Sequence, residues 1–377
     1  MTARTLAAAL CGPVTAALLL VTSPVPAVAG RTTPIPVFAY YYIWFDPISW
    51  SRAKTDFPLL GRYSSDERIV MRQHVTWAKR AGLSGFIVSW KSTPTLDRRL
   101  ARLVTIATAS RFKLAVIYEG LDFERRPLPV SRIADDLTKF VYRYRTSPVF
   151  HVLGRKPVVI LSGSWEFTRP QIARIRREIG ESIYLLASER NANDYRRVSD
   201  LFDGDAYYWS SVNPGTYPDY PEKLVAIGTA VHSRGGLWIA PAAPGFDARL
   251  IGGKTVVGRA DGNTFRREFA GALASSPDAV GVISWNEFSE NSQIEPSTRY
   301  QNRYLSLLAG VLGGRAPAVG GFSSDGRPAT GTAYGLPLIV GFVLLLAGAI
   351  VLVFRRGRRP DSNPAGGRSG DNLGSRT

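Results

Sequence analysis

The 377-residue chain is nearly devoid of cysteine, with Cys11 as its one example. A single thiol near the N-terminus excludes a disulfide framework and leaves the rest of the chain without thiol chemistry. Histidine is also scarce, with three residues scattered along the sequence as His74, His151 and His232. This spacing offers no cluster of ligands, so we expect neither a metal ion nor another cofactor.

Signature motifs of several protein classes are missing too. Ser162-Gly-Ser164 lacks the glycine spacing of a serine-hydrolase elbow. No glycine-rich phosphate loop follows the first apolar run, residues 37–42. No zinc-finger, RNA-recognition or heptad pattern accompanies the net charge of +17, so we expect no nucleic-acid partner. The charge favours an anionic envelope or acidic polymers, or it serves only to keep the surface soluble.

Apolar segments are present near both ends. Residues 1–29 carry Arg4 near their start, continue through an Ala- and Leu-rich stretch and end in Ala-Val-Ala, which predicts a cleavable secretory signal. After a Gly/Pro/Ser linker, 313–333, residues 334–354 are long enough to span a membrane. Four arginines open the basic tail, 355–377, which the positive-inside rule places in the cytoplasm. We therefore expect a single-pass protein of the cell membrane with its main domain outside the cell.

Residues 30–312 alternate between short apolar runs and helical patterns and contain no linker, so we treat them as one monomeric domain. Eight such alternations predict a (β/α)8 TIM barrel, an α/β fold, rather than an open doubly wound sheet, which lacks its phosphate loop here. The predicted strands are 37–42, 85–90, 113–119, 157–162, 182–187, 205–209, 236–241 and 279–285. The predicted helices lie near 64–82, 97–110, 132–146, 169–179, 194–199, 220–234, 264–275 and 298–312.

Aromatic and polar residues collect where these strands end, and active groups of such barrels sit at the carboxyl ends of strands. Taken singly, each aromatic residue is more typical of core packing. Together they predict a sugar site, because aromatic rings stack on pyranose faces and carboxylates bind hydroxyl groups. The predicted substrate-binding residues are Tyr41, Tyr42, Trp90, Glu119, Tyr207, Tyr208, Asp247 and Asn286.

Glu287 and Glu290 follow the eighth strand, three residues apart, and are the predicted catalytic pair. Two carboxyl groups so close repel each other's charge, which keeps one protonated as an acid while the other acts as a base.

Seven segments of the chain, in order between residues 36 and 312, resemble the endo-α-mannosidase and endo-mannanase family of glycoside hydrolases, family 99. These segments are Tyr40–Trp44, Gly61–Asp66 with His74, Gly82–Trp90, Phe202–Gly204 with Tyr207 and Tyr208, Trp238–Pro241, Pro244–Asp247 with Arg259, and Ser284–Pro296.

The resemblance implies a (β/α)8 barrel that cleaves internal α-mannosidic linkages with retention and without a covalent enzyme intermediate. Glu287 would act as the base on the 2-hydroxyl of the sugar, which forms a 1,2-anhydro sugar. Glu290 would protonate the leaving oxygen and later activate water. Arg259 and Glu295 would support this pair, and the partner would be an α-mannan-type glycan.

The motif also departs from the family's usual Glu-Trp-x-Glu-Gly-Thr. Phe288 replaces the tryptophan, Ser289 a frequent histidine, and Asn291-Ser292 the Gly-Thr pair. With these changes, the motif does not determine which sugar linkage is cleaved. Two alternatives therefore remain: an α-glucan endo-hydrolase on the same barrel, as in family 71, or a non-catalytic carbohydrate-binding or envelope-assembly protein.

Overall fold

The computed structural model describes residues 34–316. The predicted secretory signal (1–29), membrane helix (334–354) and cytoplasmic tail (355–377) lie outside the described residues, as does all but the start of the linker 313–333. Within residues 34–316, no helix is both long and apolar enough to cross a membrane. What the sequence indicates about the two ends of the chain therefore stays a prediction.

The described chain contains ten strands, eight of which form one parallel sheet. The strands are β1 (Val37–Tyr42), β2 (Gly85–Trp90), β3 (Lys113–Glu119), β4 (Val158–Ser162), β5 (Tyr184–Leu186), β6 (Gly204–Ala206), β7 (Leu237–Ala242), β8 (Phe246–Asp247), β9 (Val256–Val257) and β10 (Ala279–Val282). The sheet order is β5-β4-β3-β2-β1-β10-β7-β6, and β8 and β9 pair separately as a small antiparallel hairpin.

The parallel sheet curves into a nearly closed barrel, as predicted. Its two end strands meet at Ala187, whose amide donates to the carbonyl of Gly204 and whose carbonyl accepts from the amide of Ala206, both at 2.9 Å. A strand and a helix alternate around the ring, so each helix covers the strand beside it. The helices are α1 (Arg68–Arg80), α2 (Pro94–Ala109), α3 (Val130–Tyr144), α4 (Arg169–Ile179), α5 (Ala192–Val198), α6 (Tyr220–His232), α7 (Asn263–Ala274) and α8 (Arg303–Leu312).

Side chains along each strand alternate between the barrel interior and the layer of helices. On β1, Phe38 and Tyr40 pack in the interior with Ile117 of β3, whereas Ala39 and Tyr41 belong to the larger core between strands and helices. Both faces of β1 are buried, so its sequence shows no alternation of polar and apolar residues. The alternation nevertheless decides which strand-end side chains reach the mouth of the barrel.

The eighth barrel strand, β10, ends at Val282 and is shorter than the predicted run of residues 279–285. Beyond it, the amide of Ser284 donates to the carbonyl of Ser292 (2.9 Å), and the amide of Trp285 donates to the carbonyl of Tyr40 (2.8 Å). The chain therefore leaves the sheet and pairs with its own returning segment. The residues that follow form a loop at the carboxyl end of the barrel.

The last helix, α8, begins at Arg303 instead of near residue 298. The carboxylate of the buried Asp56 accepts hydrogen bonds from the hydroxyl of Thr298 (2.9 Å) and the amide of Arg299 (2.8 Å). These contacts hold the preceding residues in a turn and delay the helix. Its end agrees with the prediction, because Gly313 takes the left-handed φ of +67° that suits a C-terminal cap.

Candidate active site

The loop after β10 carries both predicted catalytic glutamates. The hydroxyl of Ser284 accepts a hydrogen bond from the amide of Glu287 (2.8 Å) and lies 3.1 Å from the hydroxyl of Ser292. The amide of Ser292 donates in turn to the carbonyl of Glu287 (3.2 Å). Both serines are fully buried. The loop is thus closed on itself, and it presents Glu287 and Glu290 from a constrained backbone.

Arg259, for which a supporting role is predicted, holds the second half of this loop. Its guanidinium donates to the carbonyls of Asn291 (2.8 Å) and Gln293 (2.9 Å) and lies over the rings of Tyr300 and Tyr304, 4.4 and 4.2 Å from their centroids. Asn291 has a φ of +47°, in the left-handed region that asparagine tolerates better than most residues. Asparagine, where the family's usual motif has glycine, therefore suits the left-handed backbone at this point of the loop.

Glu287 is almost completely buried, with 5% of its surface exposed. Burial raises the pKa of Glu287 to about 7, because the charged form loses its hydration. A hydrogen bond from the amide of Ser289 (2.9 Å) and the positive charge of Lys54 act in the opposite direction. The carboxylate form of Glu287 therefore has a fixed donor and a nearby cation to stabilise it.

Glu290 is partly exposed, and burial together with the charge of Glu287 raises its pKa to about 8. Arg125 opposes this rise. The two carboxyl groups are coupled and titrate as a pair. The pKa of Glu287 is the lower of the two, which favours the carboxylate on Glu287 and the proton on Glu290. This is the division of roles that a base and an acid need near neutral pH.

Tyr42 and Tyr208 lie beside the glutamates, and their hydroxyls are in hydrogen-bonding contact with each other. Tyr42 ends β1, Tyr208 follows β6, and the ring of Tyr40 packs 4.7 Å from that of Tyr208. Burial raises the pKa of both tyrosines well above the usual range, and the charge of Glu290 adds to the rise. Both phenols are therefore neutral and can donate or accept hydrogen bonds to a substrate.

Glu119 is the third carboxyl group of the site. It ends β3 on the interior face, where the hydroxyl of Ser89 donates to it at 2.7 Å. Burial raises its pKa, while the bond from Ser89 and the charges of Lys91 and Arg125 oppose the rise. The charge of Glu119 also contributes to the raised pKa of Tyr208. The structure therefore brings Glu119, Tyr42 and Tyr208 to the predicted catalytic pair.

Three other predicted substrate-binding residues lie on the opposite faces of their strands, in the core between barrel and helices. The hydroxyl of Tyr41 is hydrogen-bonded to Nδ1 of His74 (3.0 Å), and the indole of Trp90 donates to Asp97 (2.9 Å). Tyr207 packs in the same core. Since neighbouring residues of a strand point in opposite directions, none of these three side chains shares the interior face with Tyr42 and Tyr208. The structure therefore places these three side chains in the core and does not bring them to the predicted catalytic pair.

Asn286 and Glu295 belong to a chain of buried hydrogen bonds, which we call the buried network. The side-chain amide of Asn286 accepts a hydrogen bond from the backbone amide of Tyr42 (2.8 Å). It donates to the backbone carbonyl of Tyr42 (3.0 Å) and to the hydroxyl of Tyr63 (3.2 Å). Tyr63 donates to one Glu295 oxygen, and Nε2 of His74 is bonded to the other, both at 2.9 Å. The polar atoms of Asn286 are thus engaged by protein, and they align β1 with the catalytic loop.

Asp247 lies in β8 at the edge of the site. Its carboxylate accepts from Nε (2.9 Å) and Nη2 (2.6 Å) of Arg249, and this bonding holds the pKa of Asp247 below its usual range. The amide of Asp247 donates to the carbonyl of Glu290 at 2.7 Å. Through this backbone contact, the β8–β9 hairpin helps to hold Glu290 in place.

Tryptophan rings stand at the rim of the site. Trp44 follows β1, is 39% exposed and lies 4.4 Å from the ring of Tyr42. Trp165 and Trp209 follow β4 and β6, are partly exposed and lie 6.2 Å apart, edge to face. Trp44 therefore offers an exposed ring beside Tyr42 on which a sugar ring can stack.

Three cations of the site were not selected from the sequence. Lys54, Lys91 and Arg125 lie on loops, and their charges lower the pKa of one or more of the three glutamates. Their positions depend on loop conformation, which carries no periodic signal. Within residues 34–316, no group of three or more His, Cys, Asp and Glu side chains could hold a metal ion.

The sequence profile of glycosyl hydrolase family 99 matches residues 50–308. A glycoprotein endo-alpha-1,2-mannosidase-like protein from Mus musculus is 25% identical over 288 residues, which cover 67% of this chain and 61% of that protein. The glycoprotein endo-alpha-1,2-mannosidase of the same species is 24% identical over 265 residues, covering 63% of this chain and 56% of the relative. This chain thus spans 56 to 61% of the length of these curated relatives.

Solved structures share the fold. The GH99 endo-alpha-mannosidase from Bacteroides thetaiotaomicron has a TM-score of 0.64 and 18% identity, and the match covers 74% of this chain and 96% of that chain. A glycoside hydrolase-like protein has a TM-score of 0.58 and 15% identity, with coverage of 74% and 96%. At these identities the likeness concerns the architecture of the barrel.

Proposed function

The chain belongs to glycosyl hydrolase family 99, and from this premise we propose that it is a retaining endo-hydrolase of α-mannosidic linkages. The observation that carries the proposal is the pair Glu287 and Glu290, which share one loop at the carboxyl end of the barrel. Burial raises the pKa of Glu287 to about 7, and burial together with the charge of Glu287 raises that of Glu290 to about 8, so one is a base while the other still holds a proton.

In the first step, the Glu287 carboxylate takes the proton of the sugar's 2-hydroxyl. The freed oxygen attacks the anomeric carbon and forms a 1,2-anhydro sugar, while the bond to the leaving oxygen breaks. Glu290 gives its proton to that leaving oxygen. A buried carboxylate acting on the hydroxyl and a carboxylic acid of raised pKa suit these two tasks.

In the second step, Glu290 is a carboxylate and takes a proton from water. The water oxygen attacks the anomeric carbon, the three-membered ring opens, and Glu287 returns its proton to the 2-oxygen. Two inversions at one carbon give net retention. Both glutamates end in their starting protonation states, so the cycle balances.

The surroundings of the pair support a sugar substrate. Tyr42 and Tyr208 are neutral hydroxyls beside Glu290, and Glu119 adds a further carboxyl group within the same interior. Phe288, in place of the family's tryptophan, is fully buried and packs 5.6 Å from the ring of Trp50. We propose mannan as the substrate because the relatives are named as mannosidases. The exposed ring of Trp44 beside Tyr42 suits any pyranose.

The ends of the sequence support a location for this activity. We place the barrel outside the cell, tethered by residues 334–354 after removal of 1–29, because these segments have the patterns of a membrane helix and a signal. Protease treatment of intact cells tests this part. Digestion of the barrel with retention of a protected tail supports it, and full protection of the barrel contradicts it.

A panel of α-mannan and α-glucan oligosaccharides, with products identified by mass, tests the activity. We expect wild-type protein to release oligosaccharides from internal α-mannosidic linkages. Glu287→Gln and Glu290→Gln should each reduce cleavage by at least a thousandfold while sugar binding persists. Glu178→Gln is the matched control, because this exposed residue of α4 pairs with Arg174 on the surface. Cleavage of α-glucan alone would reassign the substrate, and unchanged activity in both active-site variants would refute the catalytic pair.

A further inference from the structure

A groove with a volume of about 560 Å³ lies between the ends of α1 and α2. Its lining includes Lys79, Arg80 and Arg111 and contains no Asp or Glu. Because each helix returns the chain from the end of one strand to the start of the next parallel strand, its last turn lies at the amino ends of the strands. The groove, which residues 75, 76, 79, 80 and 109–111 form, is therefore at the end of the barrel opposite the catalytic loop. We call it the basal groove.

Hydrogen bonds fix the two sides of the basal groove. The ammonium of Lys79 in α1 donates to the carbonyl of Ser110, which follows α2, at 2.6 Å. Arg111 comes next with a left-handed φ of +50°, and its amide donates to the carbonyl of Thr108 at 3.1 Å. An ammonium group has three donors, so Lys79 can still bind a second acceptor.

The cations of the basal groove have no acidic partners. Among the ion pairs of residues 34–316, none includes Lys79, Arg80 or Arg111, and all three residues are exposed. By contrast, Arg99 in the middle of α2 pairs with Asp66 at 2.9 Å. The carbonyl ends of the two helices favour nearby cations. Because these two ends adjoin, their cations meet at one groove and form a concentrated positive surface.

The chain leaves the barrel beside the basal groove. Helix α8 ends at Leu312, and the amide of Arg315 donates to the carbonyl of Arg80 at 2.8 Å. Gly314 lies so close to the end of α1 that a Cβ atom on it would clash with the carbonyl of Ala81. This packing fixes the point of exit, and the exposed Arg315 adds a fourth cation beside the groove.

The exit point connects the basal groove to the predicted membrane segment, residues 334–354. Residues 317–333 separate Ala316 from that segment, and a stretch of this length reaches at most about 60 Å. A barrel tethered in this way is attached at its base and stays near the bilayer, so even a weak site for lipid is occupied. Lysine and arginine bind the phosphate groups of anionic lipids.

We propose that the basal groove binds the phosphate headgroups of anionic phospholipids, so that the barrel docks on the membrane by its base. This proposal rests on the proposed location of the barrel and is independent of the reaction that the barrel catalyses. In the docked orientation, the loop that carries Glu287 and Glu290 faces away from the bilayer. The active site then faces glycan chains that lie beyond the membrane surface.

Energy transfer from the protein to a lipid acceptor dye in nanodiscs tests the docking. The full chain carries Cys11→Ser and one donor dye, attached either through Thr108→Cys beside the basal groove or through Thr216→Cys in the loop between β6 and α6. Both positions are exposed. We expect the dye at position 108 to transfer more strongly in discs with phosphatidylglycerol than in discs of phosphatidylcholine alone. The dye at position 216 should transfer weakly in both, and high salt should remove the difference at position 108.

Lys79→Gln, Arg80→Gln and Arg111→Gly together remove three positive charges from the basal groove. Each basic residue near an anionic surface contributes roughly fivefold in affinity, so the docking constant should fall roughly a hundredfold. Transfer from position 108 should then fall to its value in phosphatidylcholine. Glycine suits the left-handed backbone of Arg111, so this variant keeps the fold.

The matched control removes three exposed cations from other helices by Lys139→Gln in α3, Arg174→Gln in α4 and Arg196→Gln in α5. It changes the net charge by the same amount and should leave the lipid preference unchanged. An equal loss in the control, or equal transfer in both kinds of disc for the starting protein, would overturn the proposal. Stronger transfer from position 216 than from position 108 would overturn it as well.

The docking, the tether and the proposed activity fail separately. Release of the full chain from vesicles by carbonate refutes the predicted membrane segment. Flotation of the released chain with anionic vesicles then decides about the groove, because flotation that the triple groove variant loses supports the site and absence of flotation overturns it. Neither result concerns cleavage of mannan, which the oligosaccharide panel tests.

Discussion

Replacing Glu295 by leucine removes the carboxylate at the centre of the buried network. Its two oxygens accept hydrogen bonds from the hydroxyl of Tyr63 and from Nε2 of His74, each at 2.9 Å, and both partners are buried. In the variant these two donors lose their acceptor inside the protein, where water cannot replace it. We therefore expect a large loss of stability and a displaced Asn286.

The magnitude follows from the two donors. A buried donor without a partner costs about 1–3 kcal/mol, so Glu295→Leu should lower the free energy of unfolding by about 2–6 kcal/mol. Glu295→Gln keeps one acceptor oxygen and should cost about 1–3 kcal/mol. The control Glu178→Gln breaks a surface pair with Arg174 and should cost less than about 1 kcal/mol.

Urea denaturation at neutral pH measures these differences, with kcat and KM determined on the same samples. Because Asn286 aligns Tyr42 with the catalytic loop, we expect kcat to fall more than KM rises in Glu295→Gln. If Glu295→Leu costs no more than Glu178→Gln, the buried network does not stabilise the fold and the reasoning is refuted.

Three further predictions concern titration. The value of kcat/KM should peak between pH 7 and 8. Below about pH 7 Glu287 gains a proton and is no longer a base, and above about pH 8 Glu290 loses its proton and is no longer an acid. A profile that is flat from pH 5 to 9 would contradict this. Lys54→Met removes a cation that stabilises the Glu287 anion, so the acid limb should move to higher pH by roughly half a unit, whereas no movement would refute this electrostatic effect. Burial raises the pKa of Glu268 to about 8, so the folded protein keeps a proton that the unfolded chain releases near pH ~4.3. Stability should therefore fall between pH 5 and 8 in wild type, and Glu268→Gln should reduce that fall in urea titrations; an identical fall in both proteins would count against it.

Much of the barrel could be predicted because its strands are buried on both faces. Such strands are continuous apolar runs between turns, and the observed bounds of Gly85–Trp90 and Lys113–Glu119 match the predicted ones. The hairpin of β8 and β9 was missed, since two-residue strands carry no periodicity. The start of α8 depends on Asp56, a contact distant in sequence that no local pattern indicates.

The same burial limited the prediction of the site. Tyr40, Tyr41 and Tyr42 form an unbroken aromatic run, and no polar residue marks which of them faces the interior. The structure places Tyr41 in the core against His74, whereas Tyr42 lies beside the glutamates. The resemblance to family 99 is confirmed by the match of the family's profile. The cations at Lys54 and Arg125 required the loop conformations and could not be predicted from the sequence.

The most direct test of the account separates the roles of the two glutamates with an α-mannobiosyl fluoride. Fluoride leaves without a proton, so loss of the acid should matter little in the first step, while loss of the base should still prevent attack by the 2-oxygen. In a single turnover, Glu290→Gln should release fluoride at a rate near that of wild type, and Glu287→Gln should release almost none. Equal loss in both variants, or rapid release by Glu287→Gln, would contradict the assignment of base and acid.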